Sequence, residues 1–214
     1  NRSWWSECYI EKGHILLPAL VTSAGNPGNT APEVTIEYRN EQYVAFGTNV
    51  YKWLDTISEW SSSLYTLPAL PTDTIVYKDK LYFACGSDFA RFDGDTWILG
   101  SALTEASSAQ PSRFFIEWDG KLLNLDNDGQ LDYSVDEGVK WIANAPSDLA
   151  AGSYTSLFLY RDAAGNTIPY SGIKSGLYAL KFDDAKWIET GVIFPKHQYA
   201  GMGANAWNDA AYIP

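Results

Sequence analysis

Short apolar runs separated by tight-turn signals dominate this chain. Runs such as Leu81–Gly86 and Leu157–Tyr160 are apolar at nearly every position, which is typical of strands buried on both faces. The turns between runs are rich in Asn, Asp and Gly, which tolerate the positive φ angles of tight hairpins. The pattern predicts an all-β fold of short antiparallel strands, with at most one helical turn, at 147–151.

Five predicted hairpins recur at a nearly constant spacing. Their turns lie near Arg39, Lys78, Asp119, Asp162 and Asn208, which are separated by 39, 41, 43 and 46 residues. This period is typical of one four-stranded blade of a β-propeller. Because a single four-stranded sheet cannot bury both of its faces, stacking such units lets each sheet cover the apolar face of the next.

A second landmark, an Asp followed four or five residues later by a Trp, comes after each of the first four hairpins. Its clearest copy is Ser134-Val-Asp136-Glu-Gly138-Val-Lys-Trp141. Here Asp136 can accept hydrogen bonds from turn amides, Gly138 permits positive φ, and Trp141 can pack beneath the turn. We predict structural clamps, not catalytic groups, at Asp55 and Trp60, at Asp93 and Trp97, at Ser134, Asp136, Gly138 and Trp141, and at Asp183 and Trp187.

The spacing Ser-x-Asp-x-Gly-x-x-Trp resembles the Asp-box (BNR) motif of sialidase-like β-propellers. The resemblance implies a motif that stabilises the turn between the third and fourth strands of a blade, away from any catalytic centre. Segments 176–191 and 206–214 are similar to propeller-type repeats of uncharacterised proteins in tailed-phage and environmental viral genomes. This second resemblance implies a virion or tail-associated protein and supplies no catalytic residues.

We predict a single β-propeller domain over residues 1–214. In this scheme residues 9–18 form one outermost strand, and a closing blade combines the two ends of the chain. That arrangement gives five blades, and the alternative is a fragment of a larger propeller. The predicted repeat units are approximately 33–71, 72–111, 112–153 and 154–198, with a closing unit of 199–214 plus 1–20.

Composition limits the classes of partner. Hydrophobic residues make up 46% of the chain and aromatic residues 15%, enough apolar surface for a folded core. The net charge of −11 opposes the phosphates of a nucleic acid. No run approaches the roughly 18 apolar residues that span a bilayer. We therefore expect neither a nucleic-acid partner nor membrane insertion.

Acidic residues crowd one stretch of the third unit without forming a recognisable metal site. Asp126, Asp128, Asp132, Asp136 and Glu137 lie within it, but their spacing does not match an EF-hand loop. Hairpin-turn chemistry explains the stretch better. We predict neither a metal nor a cofactor.

The two cysteines, Cys8 and Cys85, lie in different predicted units. Their spacing matches no zinc motif. We expect two buried free thiols, with a disulfide as the alternative.

A carbohydrate-active enzyme is the alternative to a binding module. A sialidase needs three arginines for the substrate carboxylate, and a five-bladed glycosidase needs carboxylates on its inner strands. Glu37 and Glu117 occupy equivalent positions in their units, which is typical of scaffold, and His14 and His197 join no catalytic triad. The candidates are the arginines Arg2, Arg39, Arg91, Arg113 and Arg161 and the carboxylates Glu37, Glu117 and Asp73.

Recognition is the function that these patterns favour. We predict a non-enzymatic binding or assembly module, extracellular or virion-associated, whose partner is a protein or a glycan. The glycine-bounded loop at 196–203 has the most distinctive side chains. We expect ligand contacts from His197, Gln198, Tyr199 and Met202.

Overall fold

The computed structural model describes most of the chain, in ten stretches: residues 9–11, 14–16, 27, 31–105, 107–145, 154–173, 176–181, 186–193, 205–207 and 210–212. These stretches belong to two compact units, Asn1–Leu67 and Pro68–Pro214.

The first unit contains a hairpin and one larger antiparallel sheet. In that sheet, called sheet I, β5 pairs with both β6 and β7, so two short strands share its outer edge. The elements are β1 (Tyr9–Glu11) and β2 (His14–Leu16) in the hairpin, and β3 (Pro32–Tyr38), β4 (Glu41–Phe46), β5 (Asn49–Leu54), β6 (Glu59–Trp60) and β7 (Tyr65–Thr66) in sheet I.

The second unit contains three four-stranded antiparallel sheets and a closing hairpin. Sheet II comprises β8 (Asp73–Tyr77), β9 (Lys80–Ala84), β10 (Phe89–Phe92) and β11 (Trp97–Leu99), and the short helix α1 (Gly100–Leu103) follows it. Sheet III comprises β12 (Phe114–Trp118), β13 (Lys121–Leu125), β14 (Leu131–Ser134) and β15 (Ile142–Ala145). Sheet IV comprises β16 (Tyr154–Arg161), β17 (Thr167–Ile173), β18 (Gly176–Lys181) and β19 (Lys186–Ile193), and β20 (Asn205–Trp207) pairs with β21 (Ala210–Tyr212).

The first strands of successive sheets lie side by side in the second unit. β8 contacts β12, β12 contacts β16, and β16 contacts β20. At one end of β8 and β12 the Asp73 carboxylate accepts the backbone N–H of Phe115 at 2.7 Å. At the other end the Tyr77 hydroxyl donates to the carbonyl of Gly120 at 2.7 Å. The two strands therefore run in the same direction, as the inner strands of neighbouring propeller blades do.

Two aromatic-rich cores fill the spaces between these sheets. Between sheets II and III, Tyr82 and Phe89 pack against Phe115 and Leu122. Between sheets III and IV the buried side chains include Leu123, Leu125, Tyr154 and Trp187. Sheet III thus buries one face against sheet II and the other against sheet IV, which removes a large apolar area from water.

One local expectation from the sequence is wrong, and the structure adds a short helix that the sequence did not predict. Residues 9–16 do not form part of one outer strand, because β1 and β2 pair with each other as an antiparallel hairpin. The short helix that the structure describes is α1 at Gly100–Leu103, within an apolar Trp-Ile-Leu-Gly-Ser-Ala-Leu run that propensity alone does not separate from strand. The one-turn helix expected at 147–151 lies outside the described residues.

Candidate functional site

The start of the inner strands gathers several hydrogen-bonded polar side chains of the second unit. We call this region the strand-start end and define it by the first residues of β8, β12 and β16 together with the loops 85–88, 100–113 and 126–130. Carboxylates, amides and one arginine lie there. The hydrogen-bond partners of these groups indicate whether the region serves catalysis or stabilises the fold.

Asp73, the first residue of β8, joins two neighbouring inner strands. One oxygen accepts the N–H of Thr74 at 2.8 Å, and the other accepts the N–H of Phe115 in β12 at 2.7 Å. Burial raises the pKa of this carboxyl to about 6, although both hydrogen bonds act to lower it. Asp73 is therefore the most strongly perturbed acid of the described chain and also a link between sheets II and III.

Asp88, which is 6% exposed, organises the loops beside it. Its carboxylate accepts the backbone N–H groups of Phe89 at 2.9 Å, Ser101 at 3.1 Å and Gln110 at 3.2 Å. Three amides from three segments converge on one side chain. The arrangement satisfies a buried charge with internal donors, as a structural carboxylate requires.

Asp126 and Asp162 anchor two turns in the same way. The Asp126 carboxylate accepts the N–H groups of Asp128 and Gln130, both at 2.8 Å. The Asp162 carboxylate accepts those of Ala164 at 2.9 Å and Asn166 at 2.7 Å. Burial raises the pKa of Asp126, whereas the hydrogen bonds from Asn166 hold the pKa of exposed Asp162 below its usual range.

Asp132 and Asn124 face each other across β13 and β14. Gln110 donates its side-chain amide to the Asp132 carboxylate at 2.8 Å, and burial raises the pKa of Asp132. Asn124, fully buried, donates to the carbonyl of Pro111 at 2.7 Å. Both contacts fasten the loop 100–113 onto sheet III.

Arg113 immediately precedes β12. Its guanidinium lies 5.3 Å from the centre of the Phe114 ring. Its backbone is held at both ends, because its N–H donates to Leu125 and its carbonyl accepts the Thr72 hydroxyl at 2.6 Å. Arg113 is partly buried, and the resulting loss of solvation lowers its pKa.

The turn at residues 134–141, which carries the Ser-x-Asp-x-Gly-x-x-Trp sequence, lies at the opposite end of sheet III. The buried Ser134 hydroxyl donates to the Asp136 carboxylate at 2.8 Å and accepts the N–H of Gly138 at 2.9 Å. The same carboxylate accepts the N–H of Lys140 at 2.9 Å. Burial acts to raise the pKa of Asp136, but the hydrogen bonds outweigh it and the pKa is lowered. Trp141 packs edge-on against Phe89, with ring centres 5.8 Å apart.

Side chains of sheet II and of its first turn donate hydrogen bonds to backbone carbonyls of this turn. The Tyr82 hydroxyl donates to the Glu137 carbonyl at 2.9 Å, and Arg91 donates to the same oxygen at 3.2 Å. Lys80 pairs with the Glu137 carboxylate at 2.9 Å, and Lys78 donates to the carbonyl of Val135 at 2.7 Å. The motif is therefore part of the joint between two sheets as well as a turn.

The other predicted clamps differ in how they are built. Asp93 accepts the N–H groups of Asp95 and Thr96, which lower its pKa, and Trp97 stacks on Phe92 with ring centres 4.6 Å apart. In sheet I, Trp60 packs edge-on against Trp53, with ring centres 5.1 Å apart. Within the described chain the Asp55 carboxylate accepts no hydrogen bond from its turn. Trp187 is 6% exposed in the core of sheet IV, and Asp183 lies outside the described residues.

The residues predicted to contact a ligand belong to the loop at 196–203. His197, Gln198, Tyr199 and Met202 all lie outside the described residues.

The candidate catalytic side chains have separate neighbours where the structure describes them. Glu37 and Glu117 are exposed, and Glu117 lies further along β12 than the level of Asp73. Of the arginines, Arg91 contacts Glu137, Arg113 lies over Phe114, and Arg39 lies over Tyr38. Arg161 ends β16 and Arg2 falls outside the described chain.

The part of the chain that the structure describes contains neither a metal-binding cluster nor a reactive thiol. No group of three or more His, Cys, Asp or Glu side chains there could hold a metal ion. Cys85 is a buried free thiol whose pKa burial raises to about 12, so it is unreactive at neutral pH. Cys8 lies outside the described residues, and no described helix is long and apolar enough to cross a membrane.

Comparison with solved structures identifies the architecture. The extracellular domain of the hybrid two-component system protein BT4673 from B. thetaiotaomicron matches with a TM-score of 0.57 and 11% identity over 79% of this chain and 23% of that one. YCF48 bound to D1 peptide gives a TM-score of 0.52 and 14% identity over 75% and 53%. The GH74 enzyme of Niastella koreensis gives 0.52 and 16% over 82% and 26%. The fold is a β-propeller.

These comparisons confirm the predicted all-β propeller of four-stranded antiparallel blades, while the number of blades stays a prediction. The chain spans between about a quarter and about half of the length of these three structures. At such low identities the likeness shows the fold alone. No protein-family model matches the sequence, and no curated protein matches it either.

The sequence did not reveal the structural role of three carboxylates, although it marked turns at two of them. Asp126 and Asp162 each begin an Asp-x-x-Gly sequence, with Gly129 and Gly165 at φ of +85° and +88°. That spacing was a readable signal for an Asp-anchored turn. Asp88 carried no such signal, because two of its three amide donors come from residues 13 and 22 positions away.

Proposed function

We propose that this chain is a non-enzymatic β-propeller module that recognises a glycan or a protein partner in an extracellular or virion-borne setting. The observation that carries the proposal is the use of the carboxylates at the strand-start end. Asp73, Asp88 and Asp126 all accept backbone N–H groups of their own chain. Because these carboxylates stabilise the fold, the function best supported is recognition of a partner by the loops and rims of the propeller.

Two further points support the setting. Several of the similar solved structures are described as extracellular domains or as a bacterial surface component. The resemblance of segments 176–191 and 206–214 to repeats from phage and viral genomes supports the virion-borne version.

A glycoside hydrolase is the second candidate, and Asp73 favours it. Its pKa of about 6 lies where a general acid operates well near neutral pH. Hydrolysis by the usual mechanisms needs a second carboxyl group about 5 to 10 Å away. Among the described residues no other acid perturbs the pKa of Asp73, which argues against a working pair.

A glycan array with the fluorescently labelled full-length chain tests the proposal. We expect retention on a defined subset of glycans, with the glycans recovered intact. Protein partners are tested in parallel with purified candidate surface or virion proteins by biolayer interferometry. Cleavage of the bound glycans would favour the hydrolase, and absence of binding in both assays would overturn the proposed function.

A further inference from the structure

The outer strand of sheet IV, β19, is an exposed sheet edge. It ends the strand order of its sheet, and within the described residues no further strand pairs with it. Residues 188–193 of this strand are all exposed. The outer strands of sheets II and III, β11 and β15, have only three and four residues, whereas β19 has eight. Sheet IV therefore departs from the other repeats at this edge.

Large apolar side chains are concentrated on the same edge. Three of the eight exposed large hydrophobic residues of the described chain belong to β19: Ile188 at 47%, Val192 at 43% and Ile193 at 83% exposure. Neither lysine nor proline, which commonly protect an edge strand from pairing, occurs in 188–193. An edge of this kind is a template for an added strand.

A bulge limits the part of β19 that a partner strand can follow. The register of β19 on β18 is regular over 186–189 and shifts beyond it. The Thr190 hydroxyl holds the irregular part, because it donates to the Leu177 carbonyl at 2.8 Å and accepts the Val192 N–H at 3.3 Å. A partner strand would therefore align on the regular part.

The charge of this edge indicates the chemistry of the partner. Glu189 is exposed, and in the described part of the chain it has no ion-pair partner. One of its oxygens accepts the Tyr178 hydroxyl at 2.9 Å, which leaves the other available. Residues that face each other on adjacent strands interact, so a basic residue would complement Glu189 and an apolar one Ile188. The net charge of −11 disfavours a second copy of the chain as the partner.

We propose that β19 binds an extended segment of a partner protein by strand addition, with an apolar residue opposite Ile188 and a basic residue opposite Glu189. This inference rests on the protein-partner form of the proposed function and names the kind of segment that is recognised.

Fluorescence anisotropy of the full chain with a capped, labelled heptapeptide of alternating lysine and valine tests the proposal. A glutamate–valine peptide of the same length tests the role of charge. Two further lysine–valine peptides carry N-methyl groups on either the valines or the lysines. Because N–H groups alternate between the two edges of a strand, each of these peptides loses the donors of one edge only.

The protein variants are Ile188→Lys and Glu189→Gln. The matched control is Ile142→Lys, which places the same charge on an isoleucine that is 40% exposed in the outer strand of sheet III. Thermal unfolding of each variant confirms that it is folded.

We expect the lysine–valine peptide to bind at least ~10-fold more tightly than the glutamate–valine peptide. One N-methylated isomer should bind like the parent peptide and the other at least ~10-fold more weakly, because it lacks the donors that face β19. Binding of the parent peptide should weaken ~10-fold in Ile188→Lys and ~3-fold in Glu189→Gln, with little change in Ile142→Lys.

Equal affinities of the two N-methylated isomers would overturn strand addition. Equal losses in folded Ile188→Lys and Ile142→Lys would overturn the assignment to β19, and equal or tighter binding of the glutamate–valine peptide would overturn the preference for a basic segment. Sedimentation velocity of the chain alone tests a second copy as the partner, and a dimer that Ile188→Lys abolishes would overturn the assignment to another protein.

The failure of this inference and the failure of the proposed function give different results. A chain that binds glycans or purified candidate proteins but not the lysine–valine peptide overturns the inference alone. A chain that binds nothing in any of these assays overturns the proposed function as well.

Discussion

At the scale of single residues, the Ser134 side chain makes several of the hydrogen bonds that hold the turn at residues 134–141. Its hydroxyl has no exposure, donates to Asp136 and accepts two backbone N–H groups, those of Asp136 and Gly138. Ser134→Ala leaves buried donors unpaired, and we expect a loss of about 2 kcal/mol in the free energy of unfolding. Urea unfolding measures it. Ser87→Ala, at an exposed serine, is the control and should change stability little. Equal losses in both variants would contradict the role assigned to Ser134.

Gly129 and Gly120 form a matched pair for the turn geometry. Both have positive φ, +85° and +69°. A Cβ at Gly129 would overlap the ring of Tyr154, whereas a Cβ at Gly120 meets nothing within 4 Å. We expect Gly129→Ala to cost about 3 kcal/mol and Gly120→Ala only about 1 kcal/mol, since the second variant carries backbone strain without overlap. Similar losses in the two would show that the turn packs differently against β16.

Asp73 should give the stability of the chain a measurable pH dependence. Its pKa of about 6 in the folded chain exceeds its ordinary value of 3.8, so between these values the folded state binds more protons than the unfolded state. The contribution of Asp73 to the free energy of unfolding therefore falls as pH rises from about 4 to about 6 and is flat on either side.

Asp73→Asn removes that dependence. We expect the stability of the variant, relative to wild type, to rise as pH increases through this window. Urea unfolding of both proteins at a series of pH values measures the difference. Parallel stability curves would show that the carboxyl is not perturbed.

At the scale of strands and sheets, sheets II and III are joined by hydrogen bonds from side chains of sheet II to backbone carbonyls that follow the third strand of sheet III. Tyr82 is fully buried, and its hydroxyl donates to Glu137 across that joint at 2.9 Å. Tyr82→Phe should cost about 1 kcal/mol of unfolding free energy. The comparison variant is Tyr170→Phe, because the Tyr170 hydroxyl makes only a 3.5 Å contact within its own sheet. A larger loss for Tyr170→Phe would contradict the importance of the joint.

Hairpin turns could be predicted from the sequence because neighbouring residues determine them. Arg39 and Asn40 both have positive φ, as do Lys78 and Asp79, and these pairs are the hairpin turns that the forty-residue spacing marked. Contacts between sheets were not readable, because Asp73 meets Phe115 and Tyr82 meets Glu137 over 42 and 55 residues. No pattern of spacing or propensity specifies which distant carbonyl a buried hydroxyl will reach.

At the scale of the whole molecule, the fold could be predicted from local, repeated signals, whereas the function depends on contacts between residues that are distant in the sequence. Repeats identify a propeller because every blade solves the same packing problem. A ligand site depends on residues that break the repeat, and no spacing in the sequence marks such residues. The burial of the Arg113 guanidinium over the Phe114 ring, for example, is visible only in the folded chain.

We propose that the carboxylates at the strand-start end serve the fold rather than catalysis. Product analysis by mass spectrometry tests it most directly, after incubation of wild type and Asp73→Asn with the glycans that the chain retains. We predict that both proteins return every glycan unchanged. Release of shortened glycans by wild type, lost in a folded Asp73→Asn variant, would contradict the account and assign Asp73 to catalysis.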